Sequence, residues 1–270
     1  MRVPFIKMHG LGNDFVVLDA RTDALPPVGT AMAAALADRR TGIGCDQLIL
    51  LEQSETANFR MRIFNADGSE VEACGNASRA VALLHGRNAQ VETAGGIIAV
   101  EPTGHGARID MGAPRFEWDQ LPLAYAMDTL TMPVGWEGLE APSAVNVGNP
   151  HVIFFVDDAE GVPLDRLGPE IERDPLFPER VNVNVAQVTG PASLDLRVWE
   201  RGAGLTRACG TGACATAVAA IRRGLIEGRA ATVHLPGGPL EIEWTAEDRI
   251  LMTGPAAESF RGTFDWGDFA

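Results

Sequence analysis

The chain has 270 residues, 46% of them hydrophobic and 21% charged, with a formal net charge of −14. That length holds one large or two medium domains with sizeable cores, and the composition is that of a soluble globular protein. The acidic balance argues against binding nucleic acid or an anionic membrane, but leaves room for a small anionic ligand held by a local Arg and backbone N–H groups. The opening stretch MRVPFIKMHGLGNDF has no signal-like apolar run, and no stretch reaches the roughly 18 apolar residues of a spanning helix. A cytoplasmic location is expected, and with it thiols rather than structural disulfides for Cys45, Cys74, Cys209 and Cys214. No C-x2-C pair occurs, so no metal site is expected.

In chain order, Val3–Met8 reads as extended, followed by a Gly-rich turn and the buried strand Phe15–Leu18. The Ala-rich stretch Thr30–Arg39 is helical and is stopped by Gly42 and Gly44. Gln47–Leu51 and Arg60–Phe64 are strands, and 65–68 is a turn. A helix runs from Gly75 to about Leu84 and ends at Gly86, and short strands continue to about Met111. The proline-rich stretch Phe116–Pro142 contains the expected boundary, dividing the chain into 1–117 and 118–270, with the last strand free to pack back onto the first half. The second half repeats the pattern. Strands are expected at Val152–Val156, Asn182–Val188, Leu194–Trp199, Thr232–Leu235 and Leu240–Trp244, with a helix from Gly210 to Arg223. Short strands with one central helix per half predict a mixed α+β fold, each half a curled sheet around its helix.

The halves are copies. FNADGSEVEACGN at 64–76 faces WERGAGLTRACGT at 199–211, so Cys209 follows Cys74 by 135 positions, half the chain length. Gln47 faces Asn182 at the same spacing, and Gly12-Asn13 faces Gly148-Asn149 at one more. Each cysteine precedes the glycine that opens a helix. Unpaired N–H groups and partial positive charge at that end suit a carboxylate and favour a thiolate. A helix start worth about 1 kcal/mol lowers a thiol pKa of about 8.5 by about 0.7. A lone cysteine is more often a small core residue, but the shared spacing, the following glycines and the polar flanks set these two apart. Cys45 and Cys214 lack that setting and read as packing. Asn13, Asn65, Asn76, Asn149, Asn182 and Asn184 stand at strand–turn junctions, where asparagine either turns the chain or grips a polar ligand. Glu200-Arg201 offers an acceptor for an ammonium and a fork for a carboxylate. His151 is either a thiol-tuning or a structural histidine.

These residues resemble the diaminopimelate epimerase family over essentially the whole chain. The resemblance rests on HGLGNDFVVLD at 9–19, GIGCDQ at 42–47, the segment at 64–76, GNPH at 148–151, RVNV at 180–183 and ERGAGLTRACGTGACA at 200–215. It implies two pseudosymmetric halves, mainly antiparallel, with the active site in the cleft between them. It also implies a cofactor-independent isomerase of lysine and peptidoglycan precursor synthesis that interconverts LL- and meso-2,6-diaminopimelate. Cys74 and Cys209 match the acid/base pair. Asn13, Gln47, Asn65, Asn149, Asn182, Glu200 and Arg201 match substrate-binding positions, and Gly75-Asn76 and Gly210-Thr211 match the carboxylate cradle. His151 and Glu200 match positions that modulate the thiols. Two departures stand out: Ala77-Ser78 where the family usually has Gly-Ala, and Cys45 where it usually has Ala.

The expected reaction is 1,1-proton transfer between two opposed thiols, with a small-molecule substrate and no cofactor. A homodimer stays open on the sequence. The rival readings are a proline or hydroxyproline racemase of the same architecture, a thiol hydrolase using His151, and a binding protein that has lost its chemistry. The hydrolase leaves the second thiol unexplained, and both thiols are present, against the last.

Overall fold

A computed structural model describes residues 1–71 and 74–269. Glu72 and Ala73 of the first cysteine segment and Ala270 lie outside the described residues. The chain forms two compact units, Met1–Ile109 with Gly254–Ala270, and Asp110–Thr253. No helix among the described residues is long and apolar enough to cross a membrane.

The first unit contains β1 (Arg2–Gly10), β2 (Asn13–Asp19), α1 (Thr30–Ala37), β3 (Gln47–Glu52), β4 (Phe59–Asn65), β5 (Glu70–Val71), α2 (Gly75–His85), β6 (Ala89–Thr93), β7 (Gly96–Thr103) and β8 (Gly106–Asp110). Two short strands, β9 (Gly135–Trp136) and β10 (Leu139–Glu140), precede the main part of the second unit. That part runs β11 (Ser143–Asn146), β12 (Pro150–Phe155), α3 (Leu164–Glu172), β13 (Asn182–Gly190), β14 (Ser193–Glu200), β15 (Gly204–Thr206), α4 (Gly210–Arg222), β16 (Ala230–Leu235), β17 (Gly238–Trp244) and β18 (Ile250–Pro255). The last strand, β19 (Ala257–Asp265), pairs with β1.

The duplication is visible in the hydrogen bonding. β1–β2 is antiparallel, β2–β3 parallel, β3–β4 and β4–β5 antiparallel, β4–β6 parallel, and β6–β7 and β7–β8 antiparallel. The second unit repeats this order from β11–β12 to β16–β17–β18. The mixed, sheet-dominated class is the expected one.

Strand alternation decides what each helix covers. Val16 and Leu18 of β2 and Leu48 and Leu50 of β3 join Met32, Ala33 and Leu36 of α1 in one core. Phe15, Val17, Ile49 and Leu51 point to the opposite face and are buried as well. In the second unit Val183 and Val185 of β13 and Val152 and Phe154 of β12 pack with Leu164, Leu167 and Ile171 of α3. The intervening His151, Asn182 and Asn184 are turned the other way and are also buried. α4 packs against β11, β12, β13, β14, β16 and β17. Its small residues, GTGACATAVAAIR, let it lie close to all of them.

One expectation needs correcting: the second unit, like the first, has a second helix, and this α3 is absent from the sequence reading. Its segment LDRLGPEIE carries Gly168 and Pro169, both signals against a helix. Pro169 removes a backbone bond at about 3 kcal/mol. The fully buried Leu164, Leu167 and Ile171 return about 1.5–3 kcal/mol each and outweigh it. Gly168 is required by close approach, since a Cβ there would stand 2.4 Å from the Trp199 ring. Trp199 is held in turn by its Nε1–H bond to Glu172 Oε2 at 2.8 Å.

In the first unit an ion network ties β1 and β2 to the loop after α1. Asp14 accepts from Lys7 Nζ at 2.5 Å and from Arg39 at 2.5 and 3.1 Å, and Lys7 also donates to the Gly44 carbonyl. Burial pushes the Asp14 carboxyl up, but the hydrogen bonds and charges of Arg39 and Lys7 outweigh it and hold it well below the usual range.

Two outcomes are expected. Gly168→Ala gains about 1 kcal/mol of helix propensity and loses about 1–3 kcal/mol to the clash with Trp199; its denaturant midpoint should fall. Asp14 has a lowered folded pKa, so its contribution is present above the unfolded value of about 4 and is lost as pH falls through the folded one. Asp14→Asn should cost about 2 kcal/mol at pH 7, and urea titrations from pH 7 to 3 should show that deficit narrowing at acid pH.

Candidate functional site

Each unit presents its own half of the expected residue set. In the first, Gln47 opens β3 and Asn65 closes β4; they are register partners, and Gln47 Nε2 donates to Asn65 Oδ1 at 3.1 Å. Gln47 Oε1 is buried and has no partner among the described residues. A buried acceptor left unpaired costs about 1–3 kcal/mol, so this atom is poised for a donor. Cys74 is the N-cap of α2, in extended backbone.

A directional chain of hydrogen bonds leads to that thiol. The Arg79 guanidinium only donates, and it reaches Asn76 Oδ1 at 2.8 Å and the Pro255 carbonyl at 3.2 Å. Asn76 must then present its NH2 to Asn13 Oδ1, at 3.3 Å. The Asn13 NH2 goes to the Asp46 carboxylate at 3.1 Å. Asn13 Oδ1 is thereby fixed as an acceptor, and it lies 3.8 Å from Cys74 Sγ. Asp46 and Arg79 were not among the expected site residues. Their role comes from neighbours brought in by the fold rather than from their own motif.

In the second unit Asn149 precedes β12, His151 lies within it, Asn182 opens β13 and Glu200 closes β14. Asn182 Oδ1 accepts from the Arg201 N–H at 2.9 Å, and Arg201 Nη1 donates to the Glu179 carbonyl at 2.9 Å. Glu172 accepts from the Gly202 N–H at 3.2 Å, so the Glu200–Arg201 corner is braced from α3. Cys209 is the N-cap of α4, and its sulfur accepts from the Gly212 N–H at 3.3 Å. A Cβ on residue 212 would lie 3.2 Å from that sulfur and 3.1 Å from Val198, so glycine keeps the approach open. The Ala213 N–H goes to the Cys209 carbonyl at 3.0 Å. Of the N–H groups that a helix start leaves over, those of Gly210 and Thr211 stand first in line for an anion.

The electrostatics of Cys209 differ from the expectation of a favoured thiolate. Burial pushes the thiol well above its ordinary value, and the Glu200 charge pushes the same way; the Thr211 hydroxyl and the Gly212 N–H oppose them and lose. Burial also raises Glu200, against hydrogen bonds from the Thr206 hydroxyl at 2.5 Å and from the Cys209 thiol. Cys209 therefore rests as S–H beside a carboxylate able to accept from it. His151 is fully buried and neutral: burial, then the charge of Arg201, bring its pKa down to about 4 against the Asn184 hydrogen bond. Cys45 sits in the α1 core, where burial pushes its pKa up to about 11. It is a packing residue, as its sequence setting indicated.

The sequence model of the diaminopimelate epimerase family matches residues 5–117 and 143–258. A diaminopimelate epimerase from Erythrobacter litoralis (strain HTCC2594) is 73% identical over 270 residues, 100% of both chains. One from Sphingopyxis alaskensis (strain DSM 13593 / LMG 18877 / RB2256) is 61% identical over 265 residues, 98% of both chains. Solved structures share the fold at low identity. A phenazine biosynthesis protein of the PhzF family from Bacillus anthracis has a TM-score of 0.70 at 14% identity, covering 98% of this chain and 99% of that one. A hydroxyproline epimerase from Agrobacterium vitis has a TM-score of 0.66 at 14% identity, covering 99% and 94%. With the family model covering most of the chain and relatives matched end to end at these identities, the chain belongs to the diaminopimelate epimerase family.

Proposed function

We propose that the chain interconverts LL- and meso-2,6-diaminopimelate by a cofactor-independent proton transfer between Cys74 and Cys209. The observation that carries this reading is the placement of both cysteines. Each is the N-cap of the helix that follows the same strand pattern in its unit. One thiolate takes the α-proton of the substrate, and the thiol of the other cysteine gives its proton to the opposite face. Negative charge developing at the α-carbon spreads onto the substrate carboxylate, where N–H groups at the helix starts stabilise it. Each turnover exchanges thiol and thiolate between the two cysteines, so the pair serves both directions.

The second unit supports the acid role. Burial and Glu200 keep the Cys209 proton on sulfur until a carbanion demands it. Once the proton has left, the Gly212 N–H remains on the sulfur and lowers the cost of the thiolate. The unpaired Gln47 Oε1 suits an ammonium N–H of the substrate. Arg201, with Asn65, Asn149 and Asn182, is assigned to the distal amino-acid end, a role that a cyclic proline-type substrate would leave unused.

Cys74→Ala and Cys209→Ala should each abolish epimerisation, whereas Cys45→Ala should keep most of it. In deuterium oxide at low conversion, mass spectrometry should find solvent deuterium at the inverted carbon of product while remaining substrate stays protiated. Product that retains the substrate's own α-hydrogen sinks the two-thiol mechanism. Assayed on diaminopimelate, proline and hydroxyproline, the wild-type protein should turn over the first alone. Arg201→Ala should lose about 2–5 kcal/mol of transition-state binding on diaminopimelate, read from kcat/KM.

A further inference from the structure

We infer that Asn184 is a positioning residue: it fixes which nitrogen of His151 carries the proton and, through Thr211, keeps the Cys209 proton on sulfur. This rests on the reading of Cys209 as an acid/base group. Asn184 is completely buried on β13, two residues after Asn182 and on the same face. Its NH2 donates to the Gly212 carbonyl at 3.0 Å and to Thr216 Oγ1 at 2.9 Å, and its Oδ1 lies 3.1 Å from His151 Nδ1.

The direction of every bond follows from one atom. The Gly212 carbonyl can only accept, so the Asn184 amide cannot turn over without setting oxygen against oxygen. Its Oδ1 therefore faces His151, and Nδ1 must donate. The ring is neutral, so Nε2 carries a lone pair. Nε2 lies 3.0 Å from Thr211 Oγ1 and 3.0 Å from the Asn149 amide oxygen position. Asn149 has no carbonyl anchoring its side chain among the described residues, so its amide oxygen yields and turns away, leaving the single Nε2 lone pair to the Thr211 hydroxyl. The Thr211 hydroxyl has one hydrogen to give, and Nε2 takes it. Thr211 Oγ1 then offers only lone pairs to Cys209 Sγ, 3.5 Å away, and the downward pull that a donating Thr211 hydroxyl exerts on the thiol is withdrawn. With the opposite tautomer, His151 would donate to Thr211, and the hydroxyl hydrogen would pass to the sulfur and favour the thiolate. Asn184 thus chooses between acid and base at Cys209 without touching it. The charged and titratable groups around this chain are Glu200 against Cys209 and Arg201 near His151; neither reverses the Gly212 constraint.

The test uses the full chain without substrate. In the uniformly 15N-labelled wild type, long-range 1H–15N spectra should show His151 as the Nδ1–H tautomer from pH 6 to 8.5, the signal being assigned by its absence in His151→Gln. An Nε2–H pattern overturns the inference, and this measurement needs no altered Asn184. Asn184→Leu should shift His151 toward the other tautomer and raise the alkylation rate of Cys209 at pH 7.5 about tenfold, the effect of lowering a thiol pKa by one. Cys214, buried in the same helix, serves as the internal control for loosened packing. A rise in Cys209 alone supports the inference; no rise, or an equal rise at Cys214, overturns it. Thr216→Val removes the other side chain on Asn184 but keeps its anchor, and should leave tautomer and alkylation within about twofold of wild type. With diaminopimelate, Asn184→Leu should lose about tenfold in kcat with little change in KM, the mark of an interaction realised in the transition state. A wild-type protein that fails to exchange the α-proton of diaminopimelate defeats the epimerase reading and leaves the tautomer and alkylation results standing. An unchanged His151 or Cys209 in Asn184→Leu defeats only the inference.

Discussion

A helix that begins in a protein interior leaves N–H groups that must find acceptors. At α4 a sulfur atom is one of those acceptors, and the arrangement of the second unit follows from this. The Gly212 N–H holds the sulfur at 3.3 Å, and the Gly212 carbonyl orients Asn184 from the other side of the same residue. Glycine relieves that point, because a Cβ there would press on Val198 at 3.1 Å and on the sulfur at 3.2 Å. One residue, through the two peptide links that flank it, thus sets the position of a thiol and the polarity of the side chains around it.

The two units use different chemistry at equivalent places. At the end of β4 stands Asn65; at the end of β14, 135 positions later, stands Glu200. The first thiol faces an amide oxygen whose direction is set by Arg79 and Asp46, both charged. The second faces a carboxylate and a hydroxyl whose direction is set by a neutral histidine. A duplicated backbone therefore carries two thiols in unlike surroundings.

The sequence showed the cysteine turns clearly, because a Cys-Gly step before a periodic apolar run marks a helix start. The strands at 47–52, 59–65, 182–190 and 193–200 were equally legible from β-branched and aromatic runs. α3 was not, since Gly168 and Pro169 speak against a helix and the reasons to tolerate them, Trp199 and the core under Leu164, Leu167 and Ile171, are contributed by distant strands. Arg79 was silent for the same reason: its carbonyl partner, Pro255, is 176 residues away. Asn184 could be placed on the face of Asn182 by alternation alone, but its partners on α4 could not. The Cys209 thiol departs from the helix-start expectation because a helix start is local and visible in sequence, whereas burial depends on the whole unit.

The first unit is discontinuous in the chain: it closes only with Gly254–Ala270. β19 supplies the partner of β1 along almost its whole length, Phe264 joins the core of Val3 and Phe5, and Pro255 receives the Arg79 guanidinium. During synthesis the amino-terminal unit therefore waits, with β1 unpaired on that side and Arg79 lacking its carbonyl, until the whole second unit has been made. The segment that closes the first unit thus follows residues 110–253 in the chain, and it brings the Pro255 carbonyl to the Arg79 guanidinium at the head of the chain of hydrogen bonds that ends at the first thiol.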